Sequence, residues 1–172
     1  MFPSYHWPWH DNVLMSIELS NDCPCGSGQA FFECCDKYIS QGQFPETPEQ
    51  LMRSRYSAYT LKNKDYLLKS WHPSTRPDSL DLATDTTQWK KLKIISTNNI
   101  KGANTVHFVA FFTDIINGKE TDCYLIENSE CIKGDKWYYL KGIDLKTSEL
   151  TKNMPCPCQS GKKFKRCCAS AF

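Results

Sequence analysis

The stretch that decides the architecture begins at residue 23 and reads Cys23-Pro24-Cys25-Gly26-Ser27-Gly28-Gln29-Ala30-Phe31-Phe32-Glu33-Cys34-Cys35. It returns 133 positions later as Cys156-Pro157-Cys158-Gln159-Ser160-Gly161-Lys162-Lys163-Phe164-Lys165-Arg166-Cys167-Cys168. Eight of the thirteen positions are identical, and all four cysteines keep their spacing. Each copy supplies four thiols in the pattern C-x-C-x8-C-C, which is the number of ligands in a tetrahedral structural zinc site. The repeat therefore predicts two Zn²⁺ ions per chain, one near each end.

The spacing of the cysteines has a physical reason. Two cysteines one residue apart in an extended segment point the same way, and the proline between them holds the segment extended. The Ser-Gly that follows allows the chain to turn back, so that the later Cys-Cys pair reaches the same metal. The predicted ligands are Cys23, Cys25, Cys34 and Cys35 for one ion and Cys156, Cys158, Cys167 and Cys168 for the other.

Disulfides and unrelated buried thiols are the alternatives to metal binding. Ten cysteines in 172 residues fall below the density of a disulfide scaffold, and adjacent cysteines rarely bridge each other. The metal-ligand spacing therefore favours zinc. Four thiolates leave no open position for water, so these sites are predicted to be structural and not catalytic.

Composition bounds the class of protein. A net charge of +2 argues neither for a nucleic-acid protein as a whole nor for a membrane-surface protein. No window approaches 18 consecutive apolar residues, and no secretion signal opens the chain, so we expect no membrane insertion. Reduced, metal-loaded cysteines belong to a reducing compartment, which predicts a cytoplasmic location.

Residues before the first cysteine show no motif. Met15 lies eight residues before Cys23, which raises the hypothesis that translation begins there and that residues 1–14 are not part of the natural protein. The expected division of the chain is an N-terminal extension at 1–20, zinc elements at 21–40 and 152–172, and a central α+β domain at 46–145.

Helices are predicted at the start of the central domain. Thr47 is placed to cap a helix that begins at Pro48, and Gln50 completes a capping box. Met52, Tyr56 and Tyr59 follow at helical spacing and form one apolar stripe. A second helix is predicted at 65–71, and a short polar helix or turn at 80–89.

Strands follow the helices. The segment 104–115 is apolar on both of its alternating faces, so it is predicted to be central and covered on both sides. Helices first and an antiparallel meander second indicate an α+β fold, a curved sheet packed by N-terminal helices and flanked by two small zinc elements. The predicted strands and turns are 92–96, Asn98-Asn99, 104–115, Asn117-Gly118, 120–127, Gly134-Asp135 and 136–140.

Both cysteine stretches resemble the SEC-C motif, the zinc-binding tail of the preprotein-translocation ATPase SecA. The copy at 156–168, Cys-Pro-Cys-x-Ser-Gly-Lys-Lys-Phe-Lys-Arg-Cys-Cys, is the more similar. The last two ligands are usually Cys-His in SecA and are Cys-Cys here, which leaves the ligand count unchanged. The resemblance implies that such an element binds a protein partner, either a chaperone or the ribosome.

The central segment resembles the bacterial YchJ family and the cone-shaped nuclear-transport-factor-2-like fold. The likeness extends over roughly residues 20–170 and departs at Cys131, where a phenylalanine is expected. The family has no assigned activity, so the resemblance implies a fold and metals but no reaction. The residues that carry it are 51–59, 66–68, 71–77, 127–129 and 137–142.

The resemblance to a cone-shaped fold implies a pocket at its open end. A functional interpretation makes the arginines a clamp for a carboxylate or phosphate, and His72 a proton donor or acceptor. The structural alternative is that an arginine pins helix to sheet through an ion pair with Glu127, while His72 caps backbone carbonyls. The candidate pocket residues are Arg53, Arg55, Tyr56, His72, Arg76 and Glu127.

The two zinc elements differ outside their ligands. Where the first has Gln29, Ala30, Phe32 and Glu33, the second has Lys162, Lys163, Lys165 and Arg166. These cations exceed what the thiolates need for neutralisation, so the second element is predicted to bind an acidic partner, either a protein surface or RNA.

Three functions remain open at this point. The primary hypothesis is a zinc-binding interaction module whose C-terminal element docks a chaperone, translocation or ribosome-related partner, which leaves open whether the chain is an enzyme. The alternative is a small-ligand-binding protein or enzyme that uses the cone pocket. The third is that both zinc elements only fasten the chain ends to the central domain.

Overall fold

Helices precede strands in the computed structural model, which describes residues 22–100 and 103–172. The predicted extension at 1–20, with Met15, lies outside the described residues. The helices are α1 (Asp36–Ile39), α2 (Pro48–Thr60) and α3 (Lys64–Lys69). The strands are β1 (Gln88–Ile100), β2 (Ala103–Ile116), β3 (Lys119–Lys133) and β4 (Trp137–Glu149), followed by 3-10 turns at Phe164–Arg166 and Cys168–Ala171. This order confirms the predicted α+β class.

Helix α2 begins where the sequence predicts. The Thr47 side chain accepts a hydrogen bond from the Gln50 N–H at 3.2 Å. The Gln50 side chain accepts in turn from the Glu46 N–H at 2.8 Å. The Thr47 cap is therefore confirmed, whereas the second bond of a capping box goes to the N–H of the residue before the cap and not to that of Thr47 itself. The buried face of α2 includes Leu51 and Met52.

The sheet is antiparallel with the order β1-β2-β3-β4. Asn117 (φ 52°) and Gly118 (φ 74°) form the tight turn between β2 and β3, in the left-handed conformation that this hairpin requires. The predicted Asn-Gly hairpin is therefore confirmed. Register shifts bend the strands and give the sheet its curvature; they lie between Trp89 and Lys91, Ile94 and Ser96, Ile126 and Asn128, and Glu130 and Cys131.

The strands run further than the sequence pattern indicates. Asn98 and Asn99 pair with Thr105 and Asn104 inside the ladder, so the turn predicted at Asn98-Asn99 is wrong. Backbone pairing with β2 outweighs the turn preference of asparagine, which is weak at an exposed strand end. The short helix or turn predicted at 80–89 is wrong, because the chain has only a bend at 83–84 and residues 88–89 already belong to β1.

Strand β2 is one of the two inner strands of the sheet and is covered on both faces, as its sequence predicts. On one face Phe108 and Ala110 share an apolar cluster with Leu51 of α2 and with the first cysteine element. On the other face Val109 and Phe111 share a cluster with the second cysteine element. The two repeats therefore lie on opposite faces of one strand.

The exposed edge of β4 is covered by the segment after α3. The Tyr139 N–H donates to the Ser70 carbonyl at 2.9 Å, and the His72 N–H donates to the Tyr139 carbonyl at 2.8 Å. Trp71 forms a parallel bridge with Tyr139, and their rings meet edge to face at 4.9 Å. The ladder groups of this part of β4 are thus satisfied.

Phe164 anchors the second cysteine element, which generates a stability prediction. Its buried ring stacks on Phe111 with centroids 5.9 Å apart. We expect Phe164→Ala to lower the free energy of unfolding by about 3–5 kcal/mol, because it leaves a cavity beside Phe111. Urea titration of the reduced, metal-loaded protein measures the change.

The first element offers the control for this substitution. Phe32 is 69% exposed, so Phe32→Ala should change the free energy of unfolding by no more than about 0.5 kcal/mol. Equal losses in the two variants would show that Phe164 does not fasten its element to the sheet.

Candidate metal centres and central cavity

The first cysteine element brings its four sulfur atoms together in the buried interior. The Cys25 and Cys34 Sγ atoms lie 3.7 Å apart, and those of Cys34 and Cys35 lie 3.9 Å apart. All four Sγ atoms, including that of Cys23, lie within 4.8 Å of one another. A tetrahedron with metal–sulfur bonds of about 2.3 Å has sulfur–sulfur edges of about 3.8 Å. The group therefore fits one tetrahedral metal ion.

The second cysteine element repeats this arrangement with more exposure to solvent. The Cys158 and Cys167 Sγ atoms lie 3.5 Å apart, and those of Cys167 and Cys168 lie 3.9 Å apart. Cys158 and Cys167 are half-buried, whereas all four cysteines of the first element are buried. Both groups could hold a metal ion. All eight cysteines are free thiols, and their sulfur atoms are too far apart for disulfides.

Each element also carries a serine for which the sequence pattern predicted no contact with the cysteine ligands. The Ser27 hydroxyl lies 3.2 Å from the Cys34 Sγ, and the Ser160 hydroxyl lies 3.1 Å from the Cys167 Sγ. A hydroxyl at this distance can donate a hydrogen bond to a thiolate ligand and orient it. The sequence signal for this role is that both copies have a serine at this position, although the turn itself requires only the glycine that follows.

The clustered thiols share protons unevenly. Hydrogen bonds from Cys23 and Cys35 strongly lower the pKa of Cys25, and those two groups carry the protons instead. Burial would raise the pKa of Cys158, but hydrogen bonds from Ser160 and Cys156 lower it to about 6. Each element therefore favours a thiolate at neutral pH, which is the form that binds a metal.

Helix α2 holds the first element in place. The Arg53 Nη1 donates to the Cys25 carbonyl at 3.0 Å, and its Nε pairs with Glu49 at 2.8 Å. The Ser57 hydroxyl lies 3.7 Å from the Cys23 Sγ. Arg53 therefore braces the cysteine element and lies outside the central cavity.

A cavity of about 260 Å³ lies between α2 and the concave side of the sheet. Of the six candidate pocket residues, Arg55, Tyr56 and Glu127 line it. The rest of its wall is apolar or aromatic and consists of Met52, Tyr59, Trp89, Leu92, Phe108, Ala110, Leu125 and Tyr139.

Arg55 is buried at one end of this cavity. Its Nη1 donates to the Leu67 carbonyl at 2.8 Å and to the Ser70 hydroxyl at 2.7 Å. Its guanidinium carbon lies 4.4 Å from the Tyr139 ring centroid and 5.0 Å from that of Trp71. Burial lowers the pKa of Arg55. The aromatic rings and backbone carbonyl stabilise the charge at this site.

Glu127 is buried near Arg55 but does not pair with it. Its Oε1 accepts hydrogen bonds from the Ser129 hydroxyl and from the Tyr139 hydroxyl, the latter at 3.1 Å. Within the described ranges, no ion pair includes Glu127. The expected pairing of Arg53 or Arg55 with Glu127 is therefore corrected, because hydroxyl groups satisfy the carboxylate instead.

His72 and Arg76 lie outside the cavity. The Ser74 N–H donates to the His72 Nδ1 at 3.2 Å, and the Ser74 hydroxyl lies 2.6 Å from the same atom. The Arg76 side chain is exposed, and its backbone N–H donates to the His72 carbonyl. These contacts organise the turn after α3. Cys123 and Cys131 are buried thiols that belong to neither set of four cysteines, and Cys131 packs in the same apolar cluster as the first set.

The second element presents cations to solvent. Its four basic side chains are exposed, while Phe164 between them is buried. In the part of the chain that the structure describes, none of the ion pairs involves these cations. We call this group the basic patch: Lys162, Lys163, Lys165 and Arg166.

No helix among the described residues is long and apolar enough to cross a membrane.

Two family models match the chain. The model described as YchJ, middle NTF2-like domain, matches residues 47–142, and the SEC-C motif model matches residues 153–170. A UPF0225 protein of Photorhabdus laumondii is 43% identical over 155 residues, which cover 85% of this chain and 97% of that protein. A UPF0225 protein of Haemophilus influenzae is 42% identical over 160 residues, covering 90% and 96%.

Two solved structures share the fold. The solution structure of a SEC-C motif containing protein from Rhodopseudomonas palustris aligns with a TM-score of 0.60 at 30% identity, covering 71% of this chain and 97% of that one. The crystal structure of a SEC-C motif containing protein from Psychrobacter arcticus aligns with a TM-score of 0.54 at 28% identity, covering 87% and 96%.

Gly142 leaves room for the Glu127 carboxylate, because a larger side chain at position 142 would collide with it. A Cβ at position 142 would lie 2.8 Å from the Glu127 Cδ. We expect Gly142→Ala to lower the free energy of unfolding by about 1–3 kcal/mol. The loss should shrink by at least about 0.5 kcal/mol in a Glu127→Ala background, because the clash is then removed.

A double-mutant cycle in urea measures this coupling, with Gly134→Ala as the control. A Cβ at position 134 would make only ordinary contacts, at 3.5 Å or more, with the Tyr138 ring and the Lys136 carbonyl. Additive effects of the Gly142 and Glu127 substitutions would contradict the close contact.

Proposed function

From the premise that the chain belongs to the YchJ family, also named UPF0225, we propose that it is a zinc-binding interaction module. In this proposal each cysteine element binds one Zn²⁺, and the second element docks an acidic protein partner through the basic patch. The observation that carries the proposal is the two-sided second element, with Phe164 fixed inward and four cations directed to solvent.

Zinc is the ion that best fits the two cysteine groups. Four sulfur ligands at tetrahedral spacing suit a soft or borderline divalent metal, and such closed sites are structural. The neighbouring serine hydroxyls support thiolate ligands. Bound zinc would cross-link the two ends of each element and stabilise a segment that has too few apolar residues for a core of its own. We place the protein in the cytoplasm, where thiols stay reduced.

The basic patch is held in a defined shape by its own backbone. The Phe164 N–H donates to the Met154 carbonyl at 2.9 Å, and the Lys165 N–H donates to the Lys152 carbonyl at 3.1 Å. A pre-organised patch loses less conformational entropy on binding than a flexible basic tail. Four thiolates and one Zn²⁺ carry a net charge of about −2, so the four cations leave an excess of about two positive charges.

An acidic protein surface fits this patch better than single-stranded RNA does. RNA modules of that kind stack bases on exposed aromatic rings, whereas Phe164 is buried against Phe111. The equivalent positions of the first element carry no cation, so only the second element is suited to this partner. A chaperone, translocation or ribosome-associated protein is the kind of partner that we propose, in line with the SEC-C match.

The metal part of the proposal predicts zinc content. Reduced, freshly purified protein should contain two equivalents of zinc, one for each cysteine group. Replacing one pair of adjacent ligands by serine should remove one equivalent, because two thiolates do not retain a structural ion. Elemental analysis measures this in Cys34→Ser with Cys35→Ser, and in Cys167→Ser with Cys168→Ser.

The two buried cysteines outside the groups give the matched control. Cys123→Ser with Cys131→Ser removes the same number of thiols and should keep both zinc equivalents. Well under two equivalents in the unmodified chain, or iron in place of zinc, would overturn the metal assignment.

The docking part predicts a loss of partners on charge reversal. Glutamate at all four basic-patch positions should abolish capture of acidic proteins from native extract, because attraction becomes repulsion. Quantitative affinity purification with and without ribonuclease measures the change. Substitution is preferable to deletion of the element, because deletion would also expose Phe111.

Four exposed lysines elsewhere supply a control with the same change in net charge: Lys64, Lys90, Lys93 and Lys119 to glutamate. Partners should be retained in this control and should survive ribonuclease. Unaltered partners in the basic-patch variant would contradict the docking proposal. Loss of all partners after ribonuclease treatment would show that the basic patch binds RNA and not a protein.

A further inference from the structure

A surface groove of about 450 Å³ opens where helix α1 of the first cysteine element meets α2 and α3. Its wall comes from α1, the connector that follows it, α3 and the turn between β3 and β4. Its base is largely apolar, because Tyr38, Leu51 and Tyr66 are buried there. Metal binding and the docking proposed above both leave this groove without a role.

Phe44 lines the groove and keeps its ring in solvent, with 60% of its surface exposed. The connector that carries it is fixed on both sides of the ring. The Gln43 N–H donates to the Lys37 carbonyl at 2.9 Å, and the Trp137 Nε1 donates to the Glu46 carbonyl at 2.8 Å. Aromatic side chains are enriched at protein interfaces, and one on a fixed segment loses little conformational entropy on binding.

The size of the groove suits a short piece of polypeptide. An apolar cavity of about 150 Å³ in another protein binds benzene, so a groove of about 450 Å³ has room for more than one apolar side chain. Because the groove is open to solvent along the exposed Phe44 ring, the chain that carries those side chains can continue past it on either side.

The charges around the groove favour an acidic segment. Lys69 and Lys136 line it with a single acid, Asp65, which leaves an excess of positive charge. The Lys136 Nζ lies 5.1 Å from the Phe44 ring centroid, so a cation accompanies the exposed ring. In the part of the chain that the structure describes, none of the ion pairs involves Lys69 or Lys136. Carboxylates beside an apolar side chain would complement this arrangement.

We propose that the groove binds an acidic, extended segment of a partner protein. An aromatic or branched apolar side chain of that segment packs against Phe44, and its carboxylates lie near Lys69 and Lys136. Leu51 at the base of the groove belongs to the cluster on the helical face of the sheet, whereas the second element covers the opposite face. This interface is therefore separate from the basic patch and does not depend on the docking proposed for it.

The test uses the metal-loaded full chain and the peptide acetyl-Asp-Glu-Leu-Phe-Asp-Glu-amide as the probe. 5-Fluorotryptophan labelling gives one fluorine signal for each of the five tryptophans, and Trp137→Phe assigns that of Trp137. Because the Trp137 indole bonds to the connector beside Phe44, its signal reports binding in the groove and not at the basic patch. We expect the peptide to shift this signal saturably.

A second peptide separates apolar recognition from charge. Acetyl-Asp-Glu-Ala-Ala-Asp-Glu-amide has the same charge but no side chain that fills the groove. It should bind at least about tenfold more weakly by the Trp137 signal, because it buries less apolar surface. This comparison needs no variant that might misfold.

The chain offers matched controls for both kinds of contact. Phe44→Ala should weaken binding of the first peptide at least about fivefold, whereas Phe32→Ala should not, since Phe32 is also exposed but does not line the groove. Lys69→Glu should weaken it at least about threefold. Lys64→Glu makes the same charge change on the same helix, outside the groove lining, and should leave the affinity unchanged.

Four outcomes would overturn the proposal. The first is no shift of the Trp137 signal up to the solubility limit of the first peptide. The second is equal affinity for the two peptides, and the third is loss of the shift in the basic-patch variant, which would place binding on the second element. The fourth is self-association of the unmodified chain in sedimentation velocity that Phe44→Ala abolishes, which would make the occupant a second copy of the chain.

Discussion

The fold depends on burying both faces of strand β2. Its side chains are apolar on both sides, so neither Phe108 nor Phe111 can face water without a large loss of hydrophobic stabilisation. Within the central domain, helices α2 and α3 cover only one face of the four-stranded sheet. The second face is covered by the C-terminal cysteine element through Phe164. Each small element gains a surface to pack on, and the strand gains the cover that it lacks.

Because β2 needs cover on both faces, the two cysteine elements are part of the packed structure and not only attachments at the chain ends. Fastening the chain ends and presenting a binding surface are not competing roles for the second element, because its inward side packs on Phe111 while its cations face outward. The first element is fastened by polar contacts as well, since Arg53 donates a hydrogen bond to its backbone and Ser57 lies beside its Cys23 sulfur. The family match over residues 47–142 and the SEC-C match over residues 153–170 describe parts that are packed together, as the shared cluster shows.

Sequence reasoning succeeded where local chemistry decides the structure. The cysteine spacing, the Thr47 cap and the Asn117-Gly118 hairpin each depend on a few neighbouring residues, and all three are confirmed. It failed where distant pairing decides. The polar ends of the strands carry no alternation, so their length depends on a partner strand. Glu127 was expected to bind an arginine, but the register of β3 and β4 brings Tyr139 and Gly142 to it instead. Only the folded sheet reveals that contact.

The difference in exposure between the two cysteine groups has a physiological consequence. Since Cys158 and Cys167 are half-buried and the first group is buried, chelators and oxidants would first reach a metal ion held by the C-terminal group. Its departure would loosen the cover over Val109 and Phe111 and present an apolar surface to the crowded cell. If both groups hold metal ions, we therefore expect that, when the metal is scarce, the chain becomes a client of the quality-control machinery before its helical side is affected. Metal supply would then set how much of this protein a cell can keep.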